Sequence, residues 1–280
     1  MRFKKVYIEL SDICGLSCSF CPHPKNLRNT MSKTLFEKVL QEIRGKTQRV
    51  CLHVLGDPCR LGELGEYLAL LKKYQLGVDL VTSGYYLSQK EILVKPPVHQ
   101  IAFSLDAGYD GNNPKKLDYL DNVLDFCSFR KIQNSKTFVN LRIQDSRQNP
   151  EVIQKIFDFF GLDQRVQNFS AYQRIKLDEY IFLNITKTFE WADIEAKKIN
   201  TKKYCHALRE QIAILANGVV TPCCIDATGE IALGNIKEQS LEAIYYSSRA
   251  QNILEGFCRG EPREELCKKC FFPAIRQNRF

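Results

Sequence analysis

The chain has 280 residues, 44% of them hydrophobic and 26% charged, and a formal net charge of +8. That balance fits one large globular domain, or a large one with a small companion, and excludes a disordered or low-complexity chain. Met1–Leu10 is short and charged, not signal-like, and no apolar run approaches the roughly 18 residues that cross a bilayer. The expectation is a cytoplasmic protein with no membrane partner.

Short β-type runs alternate with helical periodicity over the first 175 residues. Lys5–Leu10 reads as a strand. Leu35, Phe36, Val39, Leu40 and Ile43 then recur at helical spacing, with Ser32 as N-cap and Gly45 as stop. Arg49–Leu55 predicts the second strand and Leu64–Tyr74 a helix. Val78–Thr82, Val98–Leu105 and Phe138–Ile143 predict strands three to five. Leu117, Leu120, Val123, Leu124 and Cys127 make one helical stripe. Val152, Ile153, Ile156, Phe157 and Phe160 make another, stopped by Gly161. A sixth strand is expected within Val166–Ile175.

βα units in series require a mostly parallel sheet, either open and doubly wound or rolled into a partial barrel. In both, function gathers at the C-terminal ends of the strands. Polar residues collect there: Ser11-Asp12, Gly56-Asp57-Pro58, Thr82-Ser83-Gly84, Ser104-Leu105-Asp106 and Arg142-Ile143-Gln144-Asp145. One site on one face is the economical reading. Beyond residue 176 the rhythm breaks into a mixed, partly helical connector, then a cysteine-rich segment over 201–280. Asn217-Gly218 between two β-type runs signals a hairpin. Leu241–Leu254 reads as one helix capped by Ser240.

Twelve cysteines in a reducing compartment point to metal or cluster ligation rather than disulfides. Cys51 and Cys127 sit on apolar faces as small core residues. Cys14, Cys18 and Cys21 form the loop C-x3-C-x2-C directly behind the first strand. Three thiolates can hold three irons of a four-iron cluster and leave the fourth iron open for a ligand. A structural zinc site normally takes four protein ligands, and His23 is the nearby fourth donor. A ferredoxin-type run would need a further cysteine.

The loop, with Phe20 before its last cysteine, resembles the signature of the radical S-adenosylmethionine (SAM) superfamily, which makes Phe20 a candidate SAM contact. The resemblance implies an α/β fold, a partial (β/α)6 TIM-like barrel, and a [4Fe–4S] cluster on Cys14, Cys18 and Cys21. It implies SAM at the open iron, cleaved reductively to a 5′-deoxyadenosyl radical that takes hydrogen from a substrate. Gly56-Asp57-Pro58 is similar to the family's stretch that holds the SAM amino group, with Asp for Glu. Thr82-Ser83-Gly84 resembles its third-strand end. Ser104 and Asp106 match the fourth-strand end near the SAM ribose and carboxylate, and Arg142 is a candidate for the carboxylate. Gly15 departs from the Asn usual after the first cysteine. Proton acceptors or radical relays are not ranked among Asp106, Asp145, Tyr172 and Cys59.

Cys205, Gly218 and Cys223 give C-x12-G-x4-C, and Cys267 and Cys270 follow as C-x2-C. This resembles the SPASM module and its shortened twitch form, implying one auxiliary [4Fe–4S] cluster on those four cysteines in a small C-terminal domain. A four-cysteine zinc site is the alternative, and Cys224 and Cys258 are rival ligands. The implied division is a core at 1–185, a connector at 186–200 and the cluster domain at 201–280. The implied partners are a small-molecule or peptide substrate and an electron donor such as flavodoxin or ferredoxin. Lys197, Lys198, Lys202 and Lys203 with the +8 charge keep a nucleic-acid partner, and an RNA-modifying enzyme, as an alternative. A non-catalytic iron–sulfur or zinc carrier is the other.

Overall fold

The computed structural model describes residues 1–22, 27–163, 166–202 and 204–272. His23 and Lys203 lie outside them. The elements, in chain order, are β1 (Lys5–Ile8), α1 (Lys33–Ile43), β2 (Arg49–Cys51), α2 (Leu64–Lys73), β3 (Gly77–Thr82), α3 (Lys90–Leu93), β4 (Val98–Ser104), α4 (Tyr119–Ile132), β5 (Phe138–Gln144) and α5 (Pro150–Phe159). They continue as β6 (Arg174–Asp178), β7 (Ile181–Thr186), β8 (Gln211–Ile214), β9 (Val219–Thr221), β10 (Gly234–Asn235), α6 (Leu241–Tyr245), α7 (Ser248–Arg259) and α8 (Glu265–Lys268).

All ten strands join one sheet in the order β10-β9-β8-β1-β2-β3-β4-β5-β7-β6. From β8 to β7 every neighbour is parallel. The alternation within each strand sorts the side chains. Val6, Ile8, Val78, Ile101, Val139 and Leu141 turn outward onto α1, α2, α4 and α5 in the main core. The alternate residues, among them Tyr7, Ala102, Asn140 and Arg142, face inward onto a cavity. This is the α/β partial-barrel arrangement.

The helix signals act locally as their chemistry requires. Ser32 Oγ accepts from Leu35 N–H at the start of α1, and Asn149 caps α5 ahead of Pro150. Gly45 and Gly161, both left-handed, follow the ends of α1 and α5.

Four expectations change. The sixth parallel strand is β7, and β6 is an antiparallel edge strand turned back onto it through Tyr180 in a left-handed conformation. The connector is therefore strand up to Thr186, and no helix forms in 187–200. Leu117 is 87% exposed and precedes α4, so it leaves that stripe. Leu241–Leu254 is two helices, because Ser247 caps a new one through Ala250 N–H as Ser240 caps the first through Ala243 N–H. The C-terminal segment is joined to the core by hydrogen bonds, since β8 pairs with β1 along its whole length.

Candidate functional site

The C-terminal strand ends surround a cavity of about 750 Å³. Cys14, Cys18 and Cys21 line it together with Phe20, Gly56, Asp57, Ser83, Ser104 and Arg142. The structure thus brings the three-cysteine loop and six of the seven predicted SAM contacts to one place. Asp106 is the exception. It lines a separate cavity of about 270 Å³ with Tyr109, Arg147 and Asn149, where its carboxylate accepts from Gln144 N–H at 3.1 Å. Register explains the difference: Ser104 is the last residue of β4 and faces inward, and the chain then turns into a 3-10 helix that carries Asp106 outward.

The cysteine loop is held from the segment behind β4. Asp110 accepts from Ser19 N–H at 3.0 Å and Ser19 Oγ at 2.6 Å. Asn113 Oδ1 accepts from Ser17 N–H at 2.8 Å, while its Nδ2 donates to Cys18 Sγ at 3.0 Å. Arg147 lies over the Phe20 ring, 4.6 Å from its centroid, and donates to Ser19 Oγ. Asp110, Asn113 and Arg147 carry no motif, and sequence reasoning missed them. Gly15 answers the departure noted above: it is left-handed at φ +78°, and a Cβ there would meet Tyr86 Oη at 2.6 Å and Arg60.

Burial raises all three thiols, Cys14 to about 12 and Cys21 to about 11, with the Asp57 carboxylate and then the neighbouring sulfurs adding to the rise at Cys14. Such crowded thiols favour a cationic centre that stabilises them as thiolates. An amide N–H aimed at one sulfur fits the same charge state. Among the described residues no group of three or more His, Cys, Asp or Glu side chains is drawn together tightly enough to hold a metal ion. The donor set fits a cluster ligated by three cysteines.

Gly56 and Asp57 are built for close approach. Gly56 is left-handed at φ +70°, and a Cβ would overlap the Ser11 carbonyl oxygen. Asp57, 1% exposed, accepts from Cys59 N–H (3.0 Å), Thr82 Oγ1 (3.0 Å), Ser83 N–H (2.8 Å) and Ser83 Oγ (2.5 Å). Its oxygens tie the second strand end to the third. Cys59 is a buried core residue, and Asp145 is bonded to Thr188 and Lys187, whereas Tyr172 lines the cavity.

Deeper in the barrel stand His53 and Asn140. Burial, Arg142 and Lys5 lower the His53 imidazole to about 3, so it is neutral. Its Nδ1 and the Asn140 Nδ2 are buried with no hydrogen-bond partner, and Asn140 Oδ1 accepts from Asn184 Nδ2 at 2.7 Å. Cys51 faces this interior rather than the helical layer.

The second cysteine set also assembles. Burial raises Cys223 far above the usual thiol range, and Cys205, Cys224, Cys270 and Cys267 raise it further, which places all of them about it. Gly218, at φ +91°, turns the β8–β9 hairpin that returns Cys223 toward Cys205. Cys224 turns instead to the main cavity, packed with Tyr7, Cys51 and Trp191, and Cys258 is exposed on α7. Cys258 is thus separated from the set, whereas Cys224 lies between the set and the main cavity. Lys197 and Lys202 are exposed, and Lys198 lies over the Phe271 ring.

Residues 205–271 match the SPASM family, an iron–sulfur cluster-binding domain. Among curated protein sequences none matches the chain. Several solved structures share its fold. BtrN, in complex with AdoMet and 2-DOIA, is 15% identical with a TM-score of 0.62, over 96% of this chain and 93% of that one. SuiB of Streptococcus suis, bound to precursor peptide SuiA, is 16% identical with a TM-score of 0.66, over 98% of this chain and 73% of that one. AnSMEcpe with bound AdoMet is 12% identical with a TM-score of 0.61, over 98% and 94%. Residues 205–271 thus carry a match to an iron–sulfur cluster-binding domain, on a chain whose fold is shared with these three structures.

Proposed function

We propose that the protein is a radical SAM enzyme that abstracts hydrogen from a small-molecule or peptide substrate. The observation that carries the reading is the convergence of Cys14, Cys18 and Cys21 with Gly56, Ser83, Ser104 and Arg142 on one cavity. Cys14, Cys18 and Cys21 would hold the cluster that binds SAM, and Cys205, Cys223, Cys267 and Cys270 the auxiliary one. When bound, the first cluster supplies the electron that cleaves SAM to methionine and a 5′-deoxyadenosyl radical.

The chain's own residues position and shield. Arg142, on the inward face of β5, supplies a fixed positive charge for the SAM carboxylate. Gly56 lets the backbone pass close to Ser11. Asp57 holds Ser83 at the rim, so it orders the SAM wall through Ser83. Phe189, Trp191 and Phe272 close one side of the cavity with aromatic surface that excludes water.

SuiB is bound to precursor peptide SuiA and anSMEcpe to the Cp18Cys peptide, while BtrN holds 2-DOIA, so this fold takes both substrate classes. The test is anaerobic reconstitution, reduction with dithionite and addition of SAM. Slow release of 5′-deoxyadenosine, abolished by Cys14→Ala, Cys18→Ala and Cys21→Ala together, is the expected result. Fully iron-loaded protein that neither binds nor cleaves SAM would make it a carrier.

A further inference from the structure

The C-terminal cysteine set borders a surface that the barrel and its cavity do not use. Residues 197–205 run beside residues 265–271. Asn200 N–H donates to the Lys268 carbonyl at 2.6 Å, and Lys198 lies over the Phe271 ring, 4.7 Å from its centroid. Lys269 Nζ donates to the Ile194 carbonyl just upstream. Cys205 ends the first of these runs, and Cys267 and Cys270 lie in the second.

Both runs are one-sided in charge. Neither 196–205 nor 266–272 contains a carboxylate, and together they carry Lys197, Lys198, Lys202, Lys203, Lys268 and Lys269. Lys268 is tied to Glu265. Lys197, Lys198 and Lys202 are exposed, and among the described residues none of the three is in an ion pair. Other exposed lysines of this protein have found acids: Lys33 pairs with Glu66, Lys73 with Glu37 and Lys155 with Asp121.

Apolar surface stands among these lysines. Ile199 is 55% exposed and Tyr204 60%. Tyr204 is seated, not loose, since a Cβ on Gly260 would meet its ring at 3.1 Å. An apolar centre within a charged rim is the anatomy of a protein contact. A single-stranded nucleic acid asks instead for a succession of aromatic platforms, and here Tyr204 is accompanied by an aliphatic side chain. Unpaired lysines around a small apolar centre complement an acidic protein surface.

The cysteines beneath say what such a protein would come for. Cys205 and Cys267 are only half-buried beside this face, whereas Cys224, next to Cys223, lines the main cavity. The set therefore reaches from the cavity wall to the lysine face. Four cysteines leave no open iron on a four-iron cluster, so its chemistry is electron transfer.

We propose that this face docks a small acidic one-electron carrier protein, with Ile199 and Tyr204 at the centre of the contact and Lys197, Lys198 and Lys202 around it. One electron then passes between the C-terminal cluster and the carrier's flavin or iron–sulfur group, and a flavin that gains it takes one proton from solvent. A patch of this size suits the small, transient contacts of redox partners. The proposal rests on the cluster reading of Cys205, Cys223, Cys267 and Cys270 given above.

Flavodoxin, an acidic flavin carrier, is the probe, with cytochrome c as a basic carrier and a single-stranded RNA as the nucleic acid. Calorimetric titration of the reconstituted holoprotein gives binding. For electron transfer, protein with Cys14→Ala, Cys18→Ala and Cys21→Ala keeps only the C-terminal cluster. It is reduced with dithionite, freed of excess reductant and mixed with oxidised flavodoxin, and the flavin semiquinone absorbance is followed. Flavodoxin should bind, and binding should weaken about tenfold from low to physiological salt. Lys197→Glu, Lys198→Glu and Lys202→Glu together should weaken binding and slow semiquinone formation by about tenfold at low salt. Ile199→Asp, a single exposed change, should weaken binding about fivefold and reads the face even where the triple variant does not fold. Unchanged binding and rate in folded, iron-loaded variants overturn the proposal, as does tighter binding of cytochrome c or the RNA than of flavodoxin. Parent protein that releases 5′-deoxyadenosine with dithionite yet does not bind flavodoxin defeats the docking face alone. Absence of iron from the protein lacking Cys14, Cys18 and Cys21 defeats the cluster reading beneath it.

Discussion

Asn113 Nδ2 donates to Cys18 Sγ at 3.0 Å from a loop 95 residues along the chain. Its orientation is fixed twice over, because Oδ1 accepts from Ser17 N–H and Nδ2 also donates to the Ala107 carbonyl, each at 2.8 Å. A flipped amide would lose all three contacts. A donor at a cluster sulfur stabilises the reduced, more negative state and raises its potential.

Asn113→Leu should therefore lower the midpoint potential of the cluster whose paramagnetic signal responds to SAM. The expected size is about tenfold in the reduction equilibrium, or about 59 mV for one electron. The auxiliary cluster signal should stay in place. An unchanged potential in a fully iron-loaded variant would make Asn113 a loop brace and nothing more.

Iron content tests the two cysteine sets separately. Two four-iron clusters require about eight irons per chain. Replacing Cys14, Cys18 and Cys21 by Ala should remove about half of them, and so should replacing Cys205 and Cys223. Cys224→Ala and Cys258→Ala should leave iron unchanged, since one faces the main cavity and the other is exposed. Stoichiometric zinc with about four irons would assign the C-terminal set to zinc.

The βα rhythm, the cysteine loop and the Asn217-Gly218 hairpin were legible in the sequence because each depends on local chemistry. What was not legible depends on pairing between distant segments. The return of β6 onto β7 turns on the conformation of Tyr180, which carries no turn signature. The pairing of β8 with β1 joins segments about 206 residues apart and leaves no trace in either. Asp106 read as a strand-end residue like Ser104, yet a one-residue change of element sends it to another cavity. Asn140 and His53 read as ordinary strand residues. Only their shared layer inside the barrel shows them to be part of a wall.

Gly56 should tolerate no side chain. Its left-handed backbone disfavours alanine, and the Cβ would overlap the Ser11 carbonyl oxygen. Gly56→Ala should cost at least about 2 kcal/mol and loosen the cysteine loop beside Ser11. Chemical denaturation and iron retention together check this. By contrast Gly111, whose Cβ meets nothing within 4 Å, should accept alanine with little change. Equal stability of the two variants would disprove the close-approach argument.

Asp106 should give the protein an acid-side gain in stability. Burial raises its carboxyl from 3.8 to about 6, although Gln144 N–H and the Arg147 and Arg142 charges pull the other way. The unfolded chain releases that proton near 3.8 and the native state near 6, so between these values the native state binds more protons. The contribution is full below the lower value and is lost as pH rises through the upper one. Carboxyls held low, such as Asp145 at about 2, act oppositely but only on further acidification below 3.8. Asp106 should therefore contribute on the order of 2 kcal/mol of stability as pH falls from 7 toward 4.5, opposed over the same range by His53, whose lowered imidazole makes the unfolded chain bind more protons below about 6.5. Asp106→Asn keeps an acceptor for Gln144 N–H and removes the charge. It should be more stable than the parent at pH 7 and lack Asp106's share of the slope, leaving the opposed contributions of Asp226, raised to about 6, and His53. Urea unfolding at pH 7, 6 and 4.5 measures both slopes, and identical slopes in parent and variant would show that Asp106 does not titrate in this window.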